Sequence, residues 1–139
     1  DTPARSVVIG GDAANDTAAP PRASSRSAQV ERLATGADVI VHSTMHPVMA
    51  PGKGSDMPAR VYYRQAETGD LGAMAQRAGA KHLMLTHLAP SLGAAMHGPY
   101  RIPGGPLTEN DYRRAVEASG YTGNVIVGTD MATLRLPLK

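Results

Sequence analysis

Phenylalanine, tryptophan and cysteine are all absent from this sequence, and each absence excludes something. Without cysteine there is no disulfide framework and no thiolate metal site, so any bound metal must rely on His, Asp or Glu. Without Phe and Trp the core must come from Leu, Val, Ile, Met, Ala and the five Tyr, which suits Ala-rich helices lying close on aliphatic strands. No run approaches the roughly 20 apolar residues of a membrane-spanning helix, and no charged-then-apolar leader is visible, so a membrane is not an expected partner. A basic stripe is missing too: the formal net charge is +2 with the cations scattered along the chain, which argues against nucleic acid as a partner.

What remains fits a single domain over residues 1–139, within the usual size range of roughly 100 to 200 residues. The opening Asp1-Thr2-Pro3-Ala4-Arg5 has no initiating Met and leads directly into a strand, as expected of a piece of a longer polypeptide.

Val7-Val8-Ile9 closed by Gly10-Gly11 predicts a buried strand at about 5–10, and the Ala, Pro, Ser and Asp of 12–26 predict an irregular surface segment. Val30, Leu33, Ala34 and Ala37 mark a helical face stopped at Gly36. Val39-Ile40-Val41 is a second strand, followed by a long connection at 43–64 with two Gly and three Pro. Leu71, Met74, Ala75 and Ala78 have the i, i+3, i+4, i+7 spacing of a second helix ended by Gly79. Leu83-Met84-Leu85 is a third strand, and 88–107 a second long loop with four Gly and four Pro; loops of such length are usually functional or mobile. Thr108 is an N-cap for a third helix, with Glu109 and Asp111 in its first turn and Tyr112, Ala115 and Val116 on one face. Val125-Ile126-Val127 forms a fourth strand, and Met131 to Leu138 a terminal strand or tail. This alternation predicts an α/β domain with parallel neighbours.

Asp12, His42, His87 and Asp130 each follow one of these strands, at the edge where open α/β sheets bind ligands. Carboxylate with imidazole is a ligand set suited to Zn, Mn or Fe. Bland readings stand beside it. Asp12 and Asp130 could make turns, and His87 could cap its strand. For His42 the commoner reading is a packed ring donating to a backbone carbonyl. His46, His82 and His97 read as loop or surface residues, though His46 and His97 lie in loops that could reach a site. Gly10-Gly11 lacks the spacing of a phosphate-binding loop, and no G-x-S-x-G is present.

Taken together, the motifs resemble the metallo-β-lactamase superfamily over nearly the whole chain. VVIGGDAAND resembles its strand-then-Asp element, commonly S-G-D-T and here G-G-D-A. ADVIVHST resembles the next strand, commonly ending H-E; AGAKHLMLTHLAP resembles the strand-then-His element, and GYTGNVIVGTDMATLRL the last strands. The nearest branches are those of ribonuclease Z and the arylsulfatase-like proteins. The resemblance implies the C-terminal half of a four-layer αββα metallo-β-lactamase sandwich. It implies two divalent metal ions, Zn ahead of Mn or Fe, only partly ligated by this chain, with Asp12 as the bridging carboxylate and His87 a ligand to the second metal. His42 becomes the catalytic-site residue that orients the others. The implied function is metal-dependent hydrolysis of a small ester (sulfate, phosphate, carboxylate ester or lactone) by a metal-activated hydroxide.

Three departures qualify that implication. H-x-H-x-D-H and the single His after it are absent, H-E is replaced by His42-Ser43, and Gln65 stands where a His precedes the second helix. The losses at Ser43 and Gln65 argue against ribonuclease Z chemistry. Met45, Met49, Met57, Tyr62 and Tyr63 are expected to line an adaptable apolar pocket. The piece alone is expected to be inactive, and to associate with the missing N-terminal half, a partner chain or a second copy, because one sheet would otherwise expose its apolar face. The alternative is a non-catalytic scaffold serving as a binding or assembly module.

Overall fold

The computed structural model describes residues 4–13 and 27–137; most of the segment expected to be irregular, and Leu138, lie outside the described residues. The elements are β1 (Val7–Gly11), α1 (Ala28–Ala34), β2 (Val39–Met45), α2 (Ala59–Tyr62), α3 (Thr68–Ala78), β3 (His82–Ala89), β4 (Met96–His97), β5 (Tyr100–Arg101), α4 (Glu109–Glu117) and β6 (Asn124–Val127). α3 buries the predicted Leu71, Met74, Ala75 and Ala78, and ends where Gly79 takes φ 69°. α4 begins with a reciprocal cap: the Asp111 carboxylate accepts from the Thr108 N–H at 2.7 Å, and the Thr108 hydroxyl accepts from the Asp111 N–H at 3.4 Å.

Several boundaries differ from the sequence expectation. The first helix stops at Ala34, because Ala37 N–H bonds back to Ala34 at 2.9 Å in a turn around Gly36. β2 and β3 run on to Met45 and Ala89, so His42 and His87 lie inside strands rather than beyond them. The long connections contain α2 and the small β4–β5 hairpin. No strand forms over 131–137; a turn closed by Ala132 N–H on Thr129 at 3.0 Å reverses the chain.

β1, β2, β3 and β6 form one sheet in that order, all parallel. Strand order therefore follows chain order, and each crossover steps in the same direction. Crossovers between parallel strands are right-handed, so stepping one way places every connecting helix on one face. α1 accordingly packs on α3 and α3 on α4. Side chains alternate across a strand: Ile40, Leu83 and Val125 share a register row and are buried beneath the helices. The adjacent row, Ile9, Val41, Met84 and Ile126, faces away from them. Ile9 in that row is 75% exposed.

Asp38 fastens the opposite end of the sheet. Its buried carboxylate accepts from Lys81 Nζ at 2.9 Å, Arg5 Nη1 at 3.3 Å and the Ser6 N–H at 3.1 Å, tying together the starts of β1, β2 and β3.

Tyrosine fills the space that Phe and Trp would take, which requires each hydroxyl to find a partner. Tyr62 donates to Glu67, Tyr112 to the Pro90 carbonyl at 2.5 Å and Tyr121 to the Ala80 carbonyl at 3.0 Å. Burial pushes the Tyr121 hydroxyl up to about 12 and raises Tyr62 and Tyr112 as well. α3 and α4 approach at Gly72, where an added Cβ would lie 2.9 Å from the Val116 carbonyl oxygen. Denaturant unfolding should find Tyr112→Phe destabilised by about 1 kcal/mol, from one lost hydrogen bond, and Tyr112→Ala by about 3–5 kcal/mol. Equal losses would show that the hydroxyl, rather than the ring, holds α4 in place.

Candidate functional site

Parallel strands bring their C-terminal ends to one edge, and at that edge the register breaks twice. Ile9 pairs with Val41 and Gly11 with His42, leaving Gly10 as an extra residue in β1. Thr86 pairs with Ser43 and Leu88 with Thr44, leaving His87 as an extra residue in β3. His87 adopts φ 42°, in the left-handed region that non-glycine residues seldom enter. Bulges of this kind re-aim a side chain and recur beside active sites. The His87 side chain is exposed.

His87 stands at a cleft of about 560 Å³, shared with Ser91, His97, Thr129 and Asp130. Thus β3, the turn after β6 and the β4–β5 hairpin together enclose it. Burial lowers the His97 pKa, and the charge of the neighbouring His87 lowers it further.

On the β1–β2 side lies a second pair. His42 is 1% exposed. Its Nδ1 lies 2.7 Å from the Ser43 carbonyl and donates to it, which leaves Nε2 as the acceptor. Nε2 is buried and meets no hydrogen-bonding partner among the described residues. The ring lies where a side chain on Gly10 would be, so that a Cβ there would come within 2.5 Å of Nε2. Burial lowers the His42 pKa; the Ser43 carbonyl and the Asp12 carboxylate oppose that shift. Asp12 is therefore within electrostatic reach of the ring. Its carboxylate is exposed and makes no hydrogen bond with the described residues, so the turn after β1 does not depend on it. Ser43, in place of the resembled Glu, donates from Oγ to the Gly11 carbonyl at 2.8 Å and fixes the residue before Asp12.

The four sequence-predicted residues thus fall into two pairs on one edge: Asp12 with His42, and His87 with Asp130. Among the described residues no three His, Asp or Glu gather closely enough to hold a metal.

The remaining predictions divide. His82 lies at the far end of the sheet, its Nδ1 3.1 Å from Asn124 Nδ2. His46, read as a loop residue, caps a short 3-10 helix: Nδ1 accepts from the Val48 N–H at 3.2 Å and Nε2 donates to the Asp111 carbonyl at 3.3 Å. Its ring meets Tyr112 edge-on at 4.9 Å, and burial lowers its pKa. The apolar lining expected of Met45, Met49, Met57 and Tyr62 is not found; all four are core residues with at most 3% exposure. Spacing alone cannot tell a pocket lining from a core that lacks Phe. Tyr63 is half-buried against the same core. Gln65 lies on the segment that continues the sheet beside Met45, and its Oε1 is buried with no partner among the described residues. His97 lies in a loop that the sequence allowed to reach a site, and it does line the cleft; a single His in a Gly- and Pro-rich loop carries no periodic signal that would have singled it out.

Neither a family model nor a curated protein matches the sequence. Solved structures do match the fold, among them the following two. The metallo-β-lactamase fold protein YhfI from Bacillus subtilis is 16% identical with a TM-score of 0.54, over 89% of this chain and 37% of that one. A diphosphatase from the PhnP family is 14% identical with a TM-score of 0.51, over 96% of this chain and 36% of that one. This chain carries part of the metallo-β-lactamase fold. It spans little more than a third of the length of either neighbour. Likeness at this identity establishes the fold; function has to be argued from the site.

Within that fold two outcomes follow for the β1–β2 pair and for His46. Gly10→Ala should drive the His42 ring from its place, seen as displaced His42 imidazole resonances and a stability loss of about 1–3 kcal/mol from overpacking; unchanged resonances would refute the packing. His42 and His46 both have pKa values held below 6.5 in the folded chain. The unfolded chain therefore takes up protons first as pH falls, so their contribution is complete above about pH 6.5 and declines below it, through the folded values. Chemical denaturation from pH 8 to pH 5 should show that decline, and His46→Gln should flatten it; the same slope in the variant would contradict the assignment.

Proposed function

We propose that residues 1–139 supply the C-terminal half of a metallo-β-lactamase-fold hydrolase, which uses two divalent cations, Zn ahead of Mn or Fe, on a small ester. The observation that carries this reading is the single sheet edge presenting both a carboxylate, Asp12, that makes no hydrogen bond with the described residues, and an imidazole, His87, exposed at a bulge.

The donors fit such a group in kind: carboxylate oxygen and neutral imidazole are ligands for borderline divalent metals. In placement they share one sheet edge, at the strands β1 and β3 that flank β2, where two cations would have to be completed by further ligands. When bound, such a pair lowers the pKa of water and offsets the charge that develops on the attacked ester group.

The chain's own residues have separable tasks in this reading. Asp12 would supply a carboxylate ligand to the cations, and His87 an imidazole ligand. His42 holds the Asp12 turn in place: its ring wedges under Gly10 while Nδ1 is anchored on Ser43. The row Ile9, Val41, Met84 and Ile126, of which Ile9 is exposed and the others half-buried, packs against a second sheet, contributed by the N-terminal half, a partner chain or a second copy. The ligands this chain lacks come from there, so residues 1–139 alone do not turn over substrate.

A second reading, a binding or assembly scaffold without catalysis, draws on the absence of a three-residue metal cluster among the described residues. Metal analysis of the intact protein separates the two. Asp12→Ala and His87→Ala should each lower bound metal from two equivalents toward one or none and abolish ester hydrolysis. Full metal content and activity in both variants would refute the proposal; stoichiometric metal with no turnover of any ester would favour the scaffold.

A further inference from the structure

We propose that His97 is a substrate-positioning residue: from the wall facing His87, its ring N–H donates to a non-bridging oxygen of a phosphoryl or sulfuryl ester. This rests on the hydrolase reading and narrows its substrate to esters of tetrahedral oxyanions.

The hairpin that carries His97 is held without the His97 side chain. Met96 pairs with Arg101 and His97 with Tyr100 through their backbones. Arg101 Nε donates to the Gly54 carbonyl at 2.7 Å, Ile102 is 6% exposed in the core, and Gly93 N–H closes the base of the loop on the Leu107 carbonyl at 2.9 Å. The His97 ring is half-buried, makes no side-chain hydrogen bond with the described residues, and lines the cleft. A polar ring on an anchored hairpin, with its hydrogen-bonding capacity unspent inside a cleft, is placed for a ligand rather than for the fold.

The other donors set the ligand class. Ser91 and Thr129, each bearing a hydroxyl, line the same cleft, and His87 stands near enough for its charge to act on His97. Potential donors on separate segments match a group with three or four oxygens better than one carbonyl oxygen. Asp130 opposes an anion; its side chain is exposed, as are those of His87, Ser91 and Thr129, so water and salt screen it.

The direct probe is inorganic phosphate added to chelator-treated, metal-free intact protein, followed through the His97 ring carbon resonance by NMR, with sulfate and acetate alongside. Phosphate and sulfate should shift that resonance saturably and acetate should not. His97→Ala should weaken phosphate binding about tenfold or more, the usual effect of losing a hydrogen bond to a charged group, and His97→Gln should recover part of it. In the metal-loaded protein His97→Ala should raise KM for an aryl phosphate or sulfate with metal content unchanged and kcat little altered. An unmoved His97 resonance, equal affinity in His97→Ala, or equal binding of acetate would overturn the proposal. Because the phosphate measurement needs no metal, its failure is distinct from failure of the metal assignment to Asp12 and His87.

Discussion

The handedness of the crossovers constrains everything else in this molecule. Four parallel strands taken in chain order leave no choice of side for the helices between them. One face of the sheet is therefore thatched by α1, α3 and α4, while the other presents Ile9, Val41, Met84 and Ile126. Parallel sheets are normally covered on both faces. Each of the two fold neighbours, YhfI and the PhnP-family diphosphatase, is more than twice as long as this chain.

The same arrangement concentrates the chemistry. Parallel strands end together, so the polar residues of β1, β2, β3 and β6 reach one edge without any loop having to fold across the domain. Asp38 secures the opposite edge with Arg5 and Lys81, and the site edge is left to irregularity. There the bulges do opposite work. At β1 the extra residue is glycine, and the space where its side chain would be receives the His42 ring; at β3 the extra residue is His87 itself, turned outward. One bulge makes room and the other presents a group.

Much of this could be read from sequence. The runs Val39–Val41 and Val125–Val127 and the Leu71/Met74/Ala75/Ala78 stripe announced two strands and a helix, since aliphatic runs and a helix-spaced apolar face mark elements of the core; Val7–Ile9 announced a strand as well, but as an outer strand it leaves Val7 51% and Ile9 75% exposed instead of buried. The Thr108 cap was legible because its residue types are specific to that geometry. The strand ends were not: β2 continues through His42, Ser43 and Thr44, whose polarity suggests a loop but whose hydroxyls and ring are satisfied or packed locally. Bulges depend on register between two strands, which no single stretch encodes. The cleft has the same origin. His87, His97 and Asp130 come from three separate segments, and only the fold shows that His97 joins His87 while Asp12 joins His42. The methionines misled because the chain lacks Phe, and Met took its place in the core.

The central claim is that the helix-free face is an internal surface of the working protein. The absence of cysteine makes it directly testable, because a single introduced thiol reports its own site without background. Ile9 on the open face and Leu33 on α1 are almost equally exposed in this chain, 75% and 74%. In the intact protein, Ile9→Cys should react with a maleimide at least about tenfold more slowly than Leu33→Cys, since burial beneath a second sheet removes it from solvent. Equal rates at the two positions would contradict the account.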